Sequence, residues 1–443
     1  MAIQLSDHFN TRRLLRFALP SILMMIFTSI YGVVDGFFIS NYVGKTSFAA
    51  VNFIFPFLMV LGAVGFMLGT GGSALIGLTL GEGNRERANQ YFSMLVYVSL
   101  AAGAVLAVLG FVFIRPVAIW LGADEAMLED CVLYGRINLI ALPVLMLQYE
   151  FQSLFVTAEK PQLGLYVTLA AGFMNMILDY VLVGLLRWGI PGAAIATVMS
   201  QVVGGGVPVV YFSRKNSSLL RIGKPYFNGR ALFRTCTNGA SEFVSNISMS
   251  VVSMLYNLQL MKYAGEDGVA AYGVLMYVNM IFLAAFIGYA VGTAPVVSFH
   301  YGAAHLDEVK GIRRRSLYII LTFAVLMLAA GELLARPLSS IYVGYDEQLM
   351  DMTVNGFRIF SFTFLFAGIP IYGSSYFTAL NNGVVSAIIS FLRTVVFQTA
   401  CVLLFPLLFG INGIWFSLVA AEIIAGVITV YFWIRYRNLK VHT

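Results

Sequence analysis

The sequence predicts an all-α polytopic membrane protein, with twelve transmembrane helices in two six-helix lobes related by a pseudo-two-fold axis along the membrane normal. Three observations predict it. Of 443 residues, 59% are hydrophobic and 11% are charged, whereas soluble domains carry about one quarter charged residues. The apolar content runs in segments of about 20 residues, the length that crosses a bilayer as a helix. The sequence also matches itself at a shift of about 221 positions.

Arg12, Arg13 and Arg16 lead directly into the first span, near 14–40, with no short apolar region ending at a small-residue cleavage site. This helix is therefore expected to direct insertion and to remain attached. Apolar runs bounded by Gly, Pro and charge place the next five near 48–79, 90–113, 130–157, 163–186 and 191–213. A second six follow near 235–262, 269–299, 316–335, 350–379, 384–408 and 412–436. The expected organisation is an N-terminal lobe over 1–213, a basic cytoplasmic connection over 214–234, and a C-terminal lobe with a short cytoplasmic tail over 235–443.

With the N-terminus inside, 19 of the 27 basic residues fall in the cytoplasm, including Arg437 and Lys440 of the tail. Lys45, Arg115, Arg187, Lys262 and Arg336 fall in outer connections, and Arg136, Arg358 and Arg393 lie within spans. This asymmetry predicts cytoplasmic termini, and the expected location is the plasma (bacterial inner) membrane. The +6 net charge is thus topological. Its residues are divided among loops rather than gathered on one face, so nucleic acid is not an expected partner. Cys131, Cys236 and Cys401 fit neither a disulfide framework nor metal-ligand spacing.

The internal match keeps one register. Gly44 falls on Gly265, Ala50 on Ala271, Gly81 on Gly302, Arg115-Pro116 on Arg336-Pro337, and Thr157-Ala158 on Thr378-Ala379. Gly189-Ile190 with Gly192 falls on Gly410-Ile411 with Gly413. Six spans per repeat insert both halves with the same orientation, an arrangement on which alternating access is commonly built.

Six acidic residues fall inside the expected spans: Asp35, Glu150, Asp179, Glu242, Glu332 and Glu422. A carboxylate in hydrocarbon is costly unless it faces protein or water, is protonated, or is paired, so each is a functional candidate. The repeat ranks them. Asp35 maps onto Tyr256 and Asp179 onto Ala400, so the shared scaffold does not require acids there. Asn175 and Asp179 are four apart and share a helix face, and Asp35 and Thr197 are placed to face the same lobe interior. Two neighbouring acids make a proton acceptor, or they share a sodium ion through oxygen ligands from Asp35, Asn175, Asp179 and Thr197. Residue chemistry leaves both open.

The segment Tyr31-Gly-Val-Val-Asp35, the run Asn175-Met-Ile-Leu-Asp179 with Thr197 beyond it, and the paired lobes resemble the multidrug and toxic compound extrusion family over essentially the whole chain. The resemblance implies that these acids, with Asn175 and Thr197, form the proton or sodium site and that Pro20 is the hinge of a bending first helix. The stretch Arg393-Thr-Val-Val-Phe-Gln398 and the lack of a mid-helix acid on span ten look most like the branch containing the staphylococcal-type multidrug exporters. A proton is expected ahead of sodium as the coupling ion, and no cofactor is expected.

In the second lobe Glu242 replaces Ser21, Arg393 replaces Gly172 and Glu422 replaces Gln201. Arg393 with Glu242 or Glu422 reads as a structural ion pair or as a substrate-binding element. Glu150 either neutralises a cationic substrate or has a structural partner such as Arg136. Glu332, near the outer end of its span, is expected to snorkel. Tyr31, Phe53, Met59, Phe151, Met174, Tyr256, Met276, Tyr277 and Met280 are candidates, with Glu150, Glu242 and Arg393, for lining a large cavity, since Met repacks and aromatic faces attract organic cations.

These readings converge on a secondary active antiporter, working as a monomer in the lipid bilayer, that exports amphipathic organic cations in exchange for protons or sodium. An embedded enzyme would need a nucleophile or metal constellation. Gly71-Gly-Ser-Ala74 lacks the fourth-position glycine of a rhomboid-type serine site, and no Gly-x4-Gly-Lys phosphate loop is present. The alternative is a lipid-linked saccharide flippase of the same superfamily, which would be expected to carry extra helices and a more cationic cavity.

Overall fold

The computed structural model describes residues 3–436 apart from 122, 124, 225 and 345, so Arg437 and Lys440 lie outside the described residues. Among the described residues every regular element is helical. Helix α1 (Thr11–Phe38) widens into a π-helical turn at Ile39–Val43 and is followed by α2 (Lys45–Gly81) and α3 (Arg85–Leu121). Next come α4 (Glu125–Ile140), α5 (Leu142–Thr157) and α6 (Pro161–Leu178), the last continuing as a π turn over Asp179–Leu185. The first lobe closes with α7 (Gly189–Gln201) and α8 (Val207–Ser213), joined through a π turn at Val202–Gly206. The second lobe opens with α9 (Gly229–Gly302), α10 (Leu306–Val343), α11 (Glu347–Ser361) and α12 (Thr363–Ala379). It ends with α13 (Gly383–Phe391), a π turn at Leu392–Phe397, α14 (Gln398–Phe409) and α15 (Ile411–Arg435).

Nine spans among the described residues are long and apolar without a sharp break. Two more are bent, by 63° between α4 and α5 and by 44° between α11 and α12. The bends fall at Ala141 and Phe362, which are the same position in the two repeats. The twelfth span is the arm of α9 ahead of Gly265, where the backbone breaks at φ 61°. Its repeat counterpart Gly44 has φ 125° and separates α1 from α2. Both need the left-handed freedom of glycine.

The arm of α9 ahead of Gly265 is more polar than the other spans because it carries Glu242, Asn246, Ser250, Ser253 and Asn257. It starts at Gly229 rather than near 235, because Asn228 caps it: the side-chain oxygen accepts the Ala231 N–H at 3.0 Å. Asn228→Ala should cost about 1 kcal/mol, readable as a lower thermal midpoint in detergent without change in helix content.

Small residues bring the lobes together. Gly81 packs on the Phe299 carbonyl and Gly302 on the Leu78 carbonyl, each leaving no room for a Cβ. These two contacts exchange under the repeat shift, as a two-fold contact must. The contact of Gly71 with Thr235 and Gly239 is likewise the mate of Gly292 on Ala18, while Gly77 meets its own counterpart Ser298 on the axis. Ahead of α1, Leu5 and Phe9 are fully buried. The Leu5 N–H donates to Glu159 Oε1 of the first lobe at 2.6 Å and the Phe9 N–H to Glu308 Oε1 of the second at 3.0 Å. The N-terminal segment therefore bridges both lobes at the end of the bundle where the glycine contacts lie.

Candidate functional site

Asp35 stands near the end of α1, while Asn175 and Asp179 close α6 where it widens into the π turn. Such one-turn widenings re-aim side chains and are frequent at functional sites. Asp179 is fully buried and Asn175 is 2% exposed. The two carboxyl groups face one another, and the Asn175 side chain meets Asp35. Oδ1 of Asp35, both carboxyl oxygens of Asp179 and Oδ1 of Asn175 are buried acceptors with no donor among the described residues. Two ionised carboxylates cannot hydrogen-bond each other, and acceptors buried without a donor are costly. The arrangement is chemically suited to one proton shared between Asp35 and Asp179. Its all-oxygen donor set also suits a hard monovalent cation.

Thr197 on α7 donates its hydroxyl to the Ala193 carbonyl at 3.0 Å and meets Tyr134 of α4. Tyr134, 2% exposed, lies in the field of both Asp35 and Asp179 and also contacts Asn138, one turn along. Sequence reasoning missed Tyr134. Its signal was the polar i, i+4 pair Tyr134 and Asn138 in a span that also holds Arg136. Gln148, which meets Tyr31, and Tyr149 were missed as well. Tyr149 stacks on Phe66 at 4.0 Å and donates to Met59 Sδ at 3.4 Å, so Tyr31 and Met59 share the first-lobe interior with both. Phe53 and Met174 are half-buried in the same lobe.

Three of the expected cavity residues face no open space. Phe151 is fully buried and stacks with Phe212 at 5.7 Å, with Phe92 edge-on to it and Phe155 tilted against it. Tyr256, 2% exposed, stacks on Tyr272 and pairs its hydroxyl with Ser417. Glu150 is fully buried, and its partner is the Ser99 hydroxyl rather than Arg136, whose guanidinium lies over the Phe111 ring at 4.9 Å. Packing thus took all three. Ser99→Ala should lower stability by about 1–3 kcal/mol, because it strips the donor from a buried carboxyl, and differential scanning fluorimetry would read the loss.

In the second lobe Arg393 Nε donates to both oxygens of Glu422 at 2.9 Å, so Glu422, 1% exposed, is the structural partner. Glu242 stands within the field of Arg393 but forms no ion pair with it. Met276 is half-buried in the second-lobe core, and Tyr277 and Met280 are exposed at 40% and 42%. Ser361 donates to Glu332 at 2.6 Å where α11 bends into α12, so this carboxylate, expected to snorkel, has a protein partner. Pro20 sits inside α1, which continues unbroken from Thr11 to Phe38.

Comparison with known proteins agrees with this architecture. The multidrug export protein MepA of Staphylococcus haemolyticus is 25% identical over 96% of this chain and 94% of its own. An FAD transporter of Shewanella oneidensis is also 25% identical, over 95% and 93%. The crystal structure of a MATE protein in complex with MaL6 superposes with a TM-score of 0.91 at 21% identity, covering 97% of both chains. The MatE family model matches twice, at residues 20–181 and 243–404, once in each repeat. The chain therefore belongs to the multidrug and toxic compound extrusion family of membrane transporters.

Proposed function

We propose that this protein is a secondary active antiporter that exports amphipathic organic cations in exchange for protons, or sodium, by alternating access. The observation that carries the reading is the facing pair Asp35 and Asp179, whose buried oxygens lack donors. An entering cation supplies what they lack, and it drives a conformational change to the extent that it binds one state more tightly than the other. Tyr31 and Met59, both half-buried in the first-lobe interior, offer a ring and a thioether suited to the apolar body of such substrates. The charge asymmetry of the loops supports cytoplasmic termini, and the bacterial relatives support a bacterial plasma membrane. Closure at the terminus-bearing end then corresponds to a state open to the outside. The protein acts as a monomer, each chain holding both lobes.

The test is efflux of ethidium from proteoliposomes under separately imposed proton and sodium gradients. One gradient is expected to drive efflux in the natural protein. Efflux indifferent to both gradients would overturn antiport. Failure of any organic cation to move, with a lipid-linked saccharide translocated instead, would establish the flippase alternative.

A further inference from the structure

The second lobe holds a charged cluster that antiport at Asp35 and Asp179 does not use. Glu242 lies thirteen residues from the start of α9 and Glu422 thirteen from the end of α15. Both are roughly 20 Å from the same end of the bundle at 1.5 Å per residue. Arg393 lies in the π turn between α13 and α14, and its guanidinium is committed to Glu422 by two hydrogen bonds. By formal count one carboxyl group is left over after Arg393 is matched with Glu422, and that group is Glu242, which has no ion-pair partner among the described residues.

Position says what that group faces. Glu242 is the repeat counterpart of Ser21, whose backbone and Cβ lie against Gly288 and Gly292 across the lobe boundary. The two-fold puts Glu242 at the matching place opposite α2, and three residues below it Gly239 packs on the Met67 carbonyl. Beyond Glu242, Asn246, Ser250, Ser253 and Asn257 recur at i+4, i+8, i+11 and i+15, one edge of the helix. All four are half-buried or exposed. Hydrocarbon disfavours such an edge, whereas a water-filled cleft suits it.

We propose that Glu242, at the base of this polar edge, is the docking group for the cationic centre of the transported substrate, with Glu422 holding Arg393 away from it. This rests on the export reading above and deepens it: the first lobe takes the coupling ion and the second takes the charge of the drug. The site favours monovalent cations because it carries a single unpaired carboxyl group, and Arg393 opposes a second charge.

The test measures equilibrium binding of tetraphenylphosphonium, and of neutral triphenylphosphine oxide, to the purified protein with no gradient present. Glu242→Gln is expected to weaken tetraphenylphosphonium roughly tenfold or more, the effect of losing one contact to a charged group. The neutral probe should be unaffected, and Glu242→Asp should recover part of the loss. Arg393→Gln should tighten the cation. Should that variant fold poorly, Arg393→Gln with Glu422→Gln keeps the net charge and should bind near the natural level.

Equal loss of both probes in Glu242→Gln, unchanged cation affinity, or no cation binding by the natural protein would overturn the proposal. Gradient-driven efflux in liposomes reports on antiport separately. A protein that couples normally but binds the cation without Glu242 would refute this site alone.

Discussion

Asp179→Asn and Asp35→Asn are each expected to reduce gradient-driven efflux to the level seen without a gradient, a loss on the order of 100-fold, in protein that stays folded. The substitution is nearly isosteric, so packing around the fully buried Asp179 is kept while the charge is removed. A coupling ion moves a two-state transporter only through its differential affinity, and shifting a population from 1:99 to 99:1 takes roughly 5.5 kcal/mol. Without a carboxylate that differential is gone. An asparagine amide also supplies a donor to the facing carboxyl, whose buried oxygens lack one, so the thermal midpoint without added ion should stay or rise. A structural role predicts that it falls. The double variant should be no worse than either single one, because the pair acts as a unit. Gradient-driven efflux surviving in both single variants would falsify the site.

Much of this arrangement was legible in the sequence because a membrane permits few exceptions. Apolar runs give spans, and an acid in a span stands out against them. Duplication sharpened the reading: Asp35 and Asp179 have Tyr256 and Ala400 as counterparts, which separates function from scaffold. Partners across helices were harder. Arg393 could be matched by sequence to Glu242 or Glu422, and helix rotation decides between them. Glu150 has a structural partner, one of the two readings the sequence left open, but that partner, Ser99 on α3, is a neutral residue that no charge pattern flags. Tyr134 escaped because an aromatic among many carries no mark until its neighbours are known. Phe151 and Tyr256 failed oppositely, as aromatic side chains fill a core as readily as they line a cavity.

Gly81→Val and Gly302→Val are expected to abolish closure of the lobes at the terminus-bearing end and to cut transport at least tenfold. Each glycine meets backbone, not a movable side chain: the Phe299 and Leu78 carbonyls belong to helices whose own hydrogen bonds hold them in place. Overpacking of ordinary cores costs about 1–3 kcal/mol, and tenfold in a conformational equilibrium needs only about 1.4 kcal/mol. The strain disappears if the lobes separate, so it falls on one state of the cycle rather than on the fold. Spin labels placed on the two lobes near that end should report a longer distance in both variants. Since the two contacts exchange under the two-fold, the effects should be of similar size, and the double variant should add little once the lobes are already apart. Gly32→Ala and Gly273→Ala provide the controls, because nothing lies within 4 Å of a Cβ at either position. They should transport normally and, as alanine suits a helix interior better than glycine, gain roughly 0.5–1 kcal/mol in stability. Full transport by Gly81→Val with an unchanged distance would show that the contact is looser than its geometry implies. Full transport with a longer distance would show that tight closure at this end is not an obligatory step of the cycle.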